Sequence, residues 1–400
     1  MEVFVARHPV FDKEKEVVGH ELDFRSGFQA YYEALEADRS SADLMAFVNY
    51  GELTDGKKGF IRFPRNLLMM DFPLLFDSES MVTGVPAELA GDEEIVDRCR
   101  GLREYEYALS IDGITEAHLG SPLLELADFV AVDFLATTPE QREAVVRQLA
   151  GGKPLVIARN LEAATDFDQA VALGYTYYHG QFFIKPIVRP GKEIAANKLT
   201  YLQLLREVNN PALSYEEIAA LVEQDVALTY KLLRFMNSAW FGLKFEVSSV
   251  KHALVLLGPK EIRRWVSLVA VRSTGDDKPY ELLVRSLSRA KACEQIGQAA
   301  DMGKEASELF LMGMLSLMDA LTDRSLEEVL GKLPLKEGIR AALLGGTGIY
   351  RNVFDVVLAY ERGDWDTVTA AATALKIEEQ AVPELVRKSV TWAREALREM

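Results

Sequence analysis

The sequence predicts a multidomain chain of two fold classes, an α/β half followed by an all-α half. Three observations predict this. Over residues 1–190, short β-rich runs alternate with longer helical stretches, the pattern of a mainly parallel sheet covered by helices. The segment Lys185-Pro186-Ile187-Val188-Arg189-Pro190-Gly191-Lys192 then interrupts the chain with two prolines and a glycine. Beyond it, apolar residues recur at helical spacing almost to the end. The expected division is a first domain over 1–190, a linker over 191–196 and a helical domain over 197–400.

The β-rich runs are Val3–Val10, Val17–Phe24, Phe60–Phe63, Ser80–Val85, Tyr107–Ile111, Phe129–Phe134, Leu155–Ala158 and Tyr175–Tyr178. Helix-like stretches lie between them at Ser40–Tyr50, Asp92–Leu102, Pro139–Leu149 and Glu162–Leu173. Thr138 before Pro139 is a suitable N-cap followed by a first-turn proline. The first two runs are separated only by the charged stretch Phe11–Glu16, too short for a crossover helix, so they should pair as a hairpin. That antiparallel start departs from a regular (β/α)8 barrel.

In the second half, Ser214-Tyr215-Glu216-Glu217 reads as a capping box ahead of an apolar-periodic run. Asp225 can cap the next helix, whose stripe is Ala227, Leu228, Leu232, Leu233 and Met236. A helix over Ser249–Leu257 should stop at Gly258-Pro259. Further helices are expected over Lys260–Val271, Tyr280–Ala300, Lys304–Leu321, Ser325–Gly331, Leu335–Leu344, Asn352–Arg362, Asp364–Ala374 and Pro383–Leu397. No repeat of 20–50 residues is present.

The 400 residues carry 61 Asp and Glu against 45 Lys and Arg, a formal net charge of −16. Residues 1–190 hold −14 of it and residues 191–400 only −2. Phosphate backbones are bound largely through Lys and Arg, so no nucleic acid is expected at the barrel half. The start, Met1 to Glu16, lacks a basic segment followed by an apolar one, and no secretory leader is expected. The most apolar run, Trp265–Val271, is too short to span a bilayer. Cys99 and Cys293 have no neighbouring partner, read as buried hydrophobes, and fit a reducing, cytoplasmic setting.

Acids at strand ends are the first candidates for chemistry: Glu21, Asp112, Asp133 and Glu162. Separated strand-end carboxylates could hold Mg²⁺, but acids there also serve as caps of the following helix or turn. His8, His20, His118, His179 and His252 are scattered, with no i, i+4 pair. Gly345-Gly346-Thr347-Gly348 lacks the Lys-Ser/Thr ending of a phosphate loop and reads as a helix-terminating turn. Met312, Met314 and Met318 read as core, and Trp240-Phe241-Gly242 as packed against helices.

Gly19-His20-Glu21-Leu22-Asp23-Phe24-Arg25 resembles the Glu-Ala-Leu signature of EAL domains, cyclic di-GMP phosphodiesterases built on a modified barrel. Phe60-Ile61-Arg62-Phe63-Pro64, Leu109-Ser110-Ile111-Asp112-Gly113 and Phe129-Val130-Ala131-Val132-Asp133 resemble later family strands in the same order. So do Ile157-Ala158-Arg159-Asn160-Leu161-Glu162 and His179-Gly180-Gln181-Phe182-Phe183-Ile184-Lys185-Pro186. The resemblance covers about 1–190. It implies a (β/α)8 TIM-like barrel with an antiparallel start and a two-metal phosphodiesterase site. It also exposes departures. The family's Asn ligand corresponds to Arg62, a Glu ligand to about Gly84, the second Asp of a pair to Gly113, the activating Lys to Ala131, and a Glu to Arg159. Only Glu21, Asp112, Asp133 and Glu162 keep the pattern. Two-metal hydrolysis needs each ion held by several hard ligands, so Mg²⁺ binding should be weak or absent. Arg62 and Arg159 could clasp a phosphate without metal, with Lys185 nearby in the family pattern, or neutralise Asp112 or Asp133 as internal ion pairs.

The segments Asp225–Leu228, Leu232–Gly242 and Val247–Leu254, followed by Leu257-Gly258, resemble an HDOD domain, an HD-like all-helical fold; the likeness covers about 197–390. Gly313-Met314-Leu315-Ser316-Leu317-Met318 stands where an active HD relative would carry Gly-Leu-Leu-His-Asp, and Ser316 and Leu317 cannot replace a His/Asp ligand pair. Together the resemblances imply a bacterial signalling scaffold that acts on protein partners, with both active sites degenerate. Two other readings stay open: a metal-independent cyclic di-GMP receptor, and a residual cyclic di-GMP phosphodiesterase. Family members pair through the barrel, so a two-fold homodimer is a further expectation.

Overall fold

The computed structural model describes residues 4–25, 50–186, 201, 204–208, 215–223, 225–237 and 247–398. The chain divides into two compact units, residues 1–185 with 361–363, and residues 186–360 with 364–400.

The first unit contains a closed eight-stranded barrel in sequential order. Its strands are β1 (Val5–Phe11), β2 (Val17–Phe24), β3 (Lys58–Arg62), β4 (Met81–Pro86), β5 (Ala108–Asp112), β6 (Phe129–Asp133), β7 (Leu155–Leu161) and β8 (Tyr177–Gly180). Each falls on one of the eight β-rich runs. β1 is antiparallel to both β2 and β8, and every other pair is parallel. The β1–β2 hairpin closes over residues 12–16, where Asp12 Oδ1 accepts from the Glu16 backbone N–H at 2.9 Å. The antiparallel start is therefore real, and it follows from a connection too short to cross over.

Two strand ends differ from expectation. β7 runs three residues past Ala158, through Arg159, Asn160 and Leu161, and β8 begins at Tyr177 rather than Tyr175. Asn160 adopts a left-handed conformation (φ 58°), and the β7–β8 register shifts between Ala158 and Leu161. A polar Arg-Asn pair hides the strand from a hydrophobic pattern, while the bulge lets β7 continue to the mouth of the barrel.

Helices cover the barrel: α1 (Tyr50–Thr54), α2 (Arg65–Met69), α3 (Glu93–Glu104), α4 (Pro122–Leu126), α5 (Pro139–Leu149) and α6 (Ala164–Leu173). Thr138 caps α5 in a capping box with Gln141, and Asp92 caps α3 through the Glu94 and Ile95 backbone N–H groups. The helix expected over 40–50 lies, Tyr50 apart, outside the described residues. Inside the barrel, Val82, Phe129, Ala131 and Ile157 form a buried layer packed by Phe60, Ala108 and Tyr177. Period-2 alternation then sets the next residues of the same strands, Gly84, Ser110, Asp112 and Arg159, above this layer at the mouth.

The second unit is helical: α7 (Tyr215–Glu223), α8 (Val226–Met236), α9 (Val250–Thr274), α10 (Tyr280–Ala299), α11 (Ala306–Leu315), α12 (Met318–Thr322), α13 (Leu326–Gly331), α14 (Glu337–Leu343), α15 (Ile349–Arg362), α16 (Trp365–Leu375) and α17 (Val382–Arg398). Asp225 caps α8 by accepting from the Leu228 N–H at 3.2 Å, and Ser249 caps α9 at His252. Helical geometry breaks at Gly258 (φ 70°, ψ 169°), immediately before Pro259. Gly345 and Gly348 take positive φ in the turn between α14 and α15. Ser214 and the Trp240-Phe241-Gly242 segment lie outside the described residues.

The single helix expected over 304–321 is two helices, broken at Ser316-Leu317. Ser316 Oγ donates back to the Gly313 carbonyl at 2.7 Å, and Leu317 leaves helical geometry at φ −123°. Apolar periodicity continues across the break, which is why it is silent in the pattern. α10 and α11 pack closely because they carry glycine at the crossing. A Cβ on Gly313 would lie 2.3 Å from the Arg289 carbonyl oxygen, and one on Gly297 would lie 2.1 Å from Leu309 Cδ1. Met312, Met314, Met318, Cys99 and Cys293 are all fully buried. No helix among the described residues is long and apolar enough to cross a membrane.

Candidate functional site: charge pairs at the barrel mouth

The mouth cavity is lined by Glu21, Arg62, Gly84, Ser110, Asp112, Arg159 and His179 above the apolar layer. Glu21 comes from the middle of β2, Arg62 and Asp112 from the ends of β3 and β5, Arg159 from the extended β7 and His179 from β8. Barrel closure brings Glu21 and Arg159 together across 138 residues of sequence.

Arg159 is the hub. Its Nη2 donates to Glu21 Oε1 in a close ion pair, and its Nη1 lies 3.7 Å from Asp112 Oδ2. Its side chain is only 11% exposed. Burial alone would lower its pKa, but the carboxylates of Glu21, Asp112 and Asp133 outweigh burial and raise it, so the cation is retained. For Glu21, burial disfavours the charged form, yet Arg159 foremost among the surrounding cations overcomes it and holds the carboxyl at about 2. His179 is pushed down to about 4 by burial, with Arg159 and His8 adding to the effect against Glu21 and Asp112. At neutral pH His179 is therefore uncharged, and the arginines balance Glu21.

Arg62 is half exposed at the rim and donates through Nε to Asp112 Oδ2 at 3.3 Å. Asp112 also accepts from Ser110 Oγ at 2.9 Å. Gly84 makes room for this carboxylate, since a Cβ there would lie 2.8 Å from Asp112 Oδ2 and 3.0 Å from the Ile61 carbonyl oxygen. Gly113 turns the chain at φ 82°, and Ala131 is a buried part of the wall.

Asp133 is engaged otherwise. Its Oδ1 accepts from the backbone N–H groups of Leu135 (2.8 Å) and Ala136 (3.2 Å), and its Oδ2 from Asn160 Nδ2 (2.8 Å). It caps the turn after β6 rather than pairing with Arg62. Glu162 and Lys185 form their own half-exposed ion pair at 3.1 Å and do not line the cavity. Of the candidate residues, the structure thus gathers Glu21, Arg62, Asp112 and Arg159, and sets Asp133, Glu162 and Lys185 apart. Sequence reasoning missed His179 and Ser110. Both face inward by the alternation of their strands, a signal available once the strand ends were known. Among the described residues, no three His, Cys, Asp or Glu side chains come together so as to hold a metal ion.

In the helical unit, Ser316 and Leu317 sit in the α11–α12 break. Leu317 is buried, and Arg289 Nη1 donates to Ser316 Oγ at 3.2 Å. A second buried polar group, Glu294 of α10, accepts from Arg264 Nη2 at 2.6 Å and Lys291 Nζ at 2.7 Å.

Fold and sequence together define a protein with an eight-stranded barrel followed by a helical region that matches the HDOD domain. The HDOD family model matches residues 196–322, a shorter span than the 197–390 resemblance, so α13 to α17 lie outside the match. The chain belongs to the family of the uncharacterized protein YuxH of Bacillus subtilis, with 30% identity over 391 residues, 95% of each chain. It is also similar to the cyclic di-GMP phosphodiesterase CdgJ of Vibrio cholerae, with 29% identity over 98% of this chain and 92% of that one. Solved structures similar to this chain include the FimX EAL domain of Pseudomonas aeruginosa bound to c-di-GMP (16% identity, 46% of this chain and 89% of that one, TM-score 0.35). Another is the Bacillus subtilis YkuI protein with an EAL domain, in complex with substrate c-di-GMP and calcium (17% identity, 45% and 54%, TM-score 0.34).

Proposed function

We propose that this protein is a non-catalytic signalling scaffold of the EAL/HDOD type that acts through protein partners in the cytoplasm. One observation carries the reading. The Arg159 guanidinium stands between Glu21 and Asp112, where a two-metal site would need its cations. A guanidinium there satisfies the carboxylates and adds like charge against any approaching Mg²⁺. Two further groups support this. Arg62 adds a second cation on Asp112, and Asp133 spends its oxygens on Asn160 and a backbone turn. The residues present do not fit a two-metal centre.

The helical unit supports the same reading, since Ser316 and Leu317 offer no metal-ligand pair and Ser316 is hydrogen-bonded to Arg289. The acidic excess of residues 1–190 favours a basic protein partner over nucleic acid. Self-association would be two-fold.

The name of CdgJ favours a second reading, a phosphodiesterase working with an altered ligand set. Incubating the purified full chain with cyclic di-GMP and Mg²⁺ separates the two. The scaffold reading expects no linear product. Metal-dependent product that disappears in Glu21→Ala would establish the phosphodiesterase instead. Calorimetry with cyclic di-GMP, with and without Mg²⁺, then isolates a pure receptor, which would release heat of binding without turnover.

A further inference from the structure

Beneath the ion pairs, the mouth holds polar atoms that no protein group satisfies. His179 is 6% exposed, and neither Nδ1 nor Nε2 has a hydrogen-bond partner. Nε2 stands 3.4 Å from Glu21 Oε2, close enough for charge to be felt but without a hydrogen bond. Arg159 Nε is likewise buried and unpartnered. Both residues line the same cavity, whose volume is about 20 Å³.

A buried polar atom without a partner costs about 1–3 kcal/mol, and native interiors seldom leave such groups unmet. The orphaned set fixes what can meet them. The Arg159 Nε–H is a donor, and a neutral imidazole presents one N–H donor and one acceptor nitrogen. An anion would accept from the donors but would stand against the Glu21 and Asp112 carboxylates that line the same cavity. A cation would face two guanidinium groups. A neutral molecule that both accepts and donates can meet the Arg159 Nε–H together with one ring nitrogen, whichever tautomer His179 adopts. One water occupies about 10–15 Å³, so the cavity has room for water beside these residues.

We infer that the barrel mouth binds a single ordered water that bridges His179 and Arg159 Nε. The bridge links the β8 imidazole to the β7 guanidinium and so adds to the hold that Glu21 and Asp112 have on Arg159. The inference does not depend on whether the mouth catalyses, because it rests on the orphaned atoms alone.

A crystal structure of the full chain at a resolution that shows ordered solvent tests it directly. The expected result is one density peak within hydrogen-bond distance of both Arg159 Nε and a ring nitrogen of His179. Absence of the peak, or an anomalous signal at that position after a bromide soak, would overturn it. Oxygen-17 relaxation dispersion gives an independent readout in solution. His179→Leu should lose one long-lived water relative to the parent chain, while His179→Gln, which keeps a donor and an acceptor, should retain it. An unchanged dispersion in a folded His179→Leu protein would contradict the inference, as would loss of the water from His179→Gln.

Discussion

The barrel mouth and the α11–α12 break are the two places where the sequence resembles a metal centre, and their side chains are engaged in different ways. The mouth keeps its charge: Glu21 and Asp112 remain, and Arg159 and Arg62 face them. The two candidate positions at the break carry none themselves: Ser316 accepts a hydrogen bond from the buried Arg289, and Leu317 is buried. The contrast is between carboxylates held by arginines and two positions that offer no carboxylate or imidazole. The ion-paired mouth is the more sensitive to single substitution, because each partner is costly to leave alone in a buried setting.

This difference can be broken by substitution, and all four tryptophans lie in the second half, so their fluorescence follows the helical unit while circular dichroism follows both. Arg159→Ala should have the largest effect. It leaves Glu21 buried without its main partner, and urea denaturation followed by circular dichroism should show a loss of about 4 kcal/mol. Glu294→Ala should cost somewhat less, about 3 kcal/mol, read by tryptophan fluorescence, because its partners Arg264 and Lys291 are partly exposed and can turn to solvent.

Acid sharpens the comparison further. The folded pKa of His179 is depressed, to about 4 from 6.5, so its contribution is complete above pH 6.5 and fades as pH falls toward 4. Glu21 is depressed from 4.5 to about 2, so its contribution is complete above pH 4.5 and fades below it. Urea midpoints followed by circular dichroism should therefore fall in two stages on acidification, the first worth about 3 kcal/mol. In His179→Leu the limb between pH 6.5 and 4 should flatten while the lower limb persists. Arg62→Ala should be the smallest change, under about 1 kcal/mol, because its side chain is half in water.

The barrel was legible strand by strand, since each strand is a β-rich run bounded by polar or helical residues. What hid the site was its polarity. Arg159 and Asn160 break the apolar run that marks β7, although they are its functional end. Pairing of Glu21 with Arg159 depends on closure across the whole barrel, which no local spacing reports. His179 read as a scattered histidine until β8 placed it beside Glu21. In the helical unit, the break at Ser316 was silent because Met314, Leu315, Leu317 and Met318 are apolar on both sides of it.

The central claim is that a guanidinium occupies the charge position of metal at the mouth. Titrating the full chain with Mn²⁺, read by electron paramagnetic resonance as a visible substitute for Mg²⁺, tests it most directly. The account predicts no stoichiometric site at the barrel mouth, and the same weak response from the parent chain and from Glu21→Gln. A tight site of about one ion per chain that Glu21→Gln abolishes would contradict it.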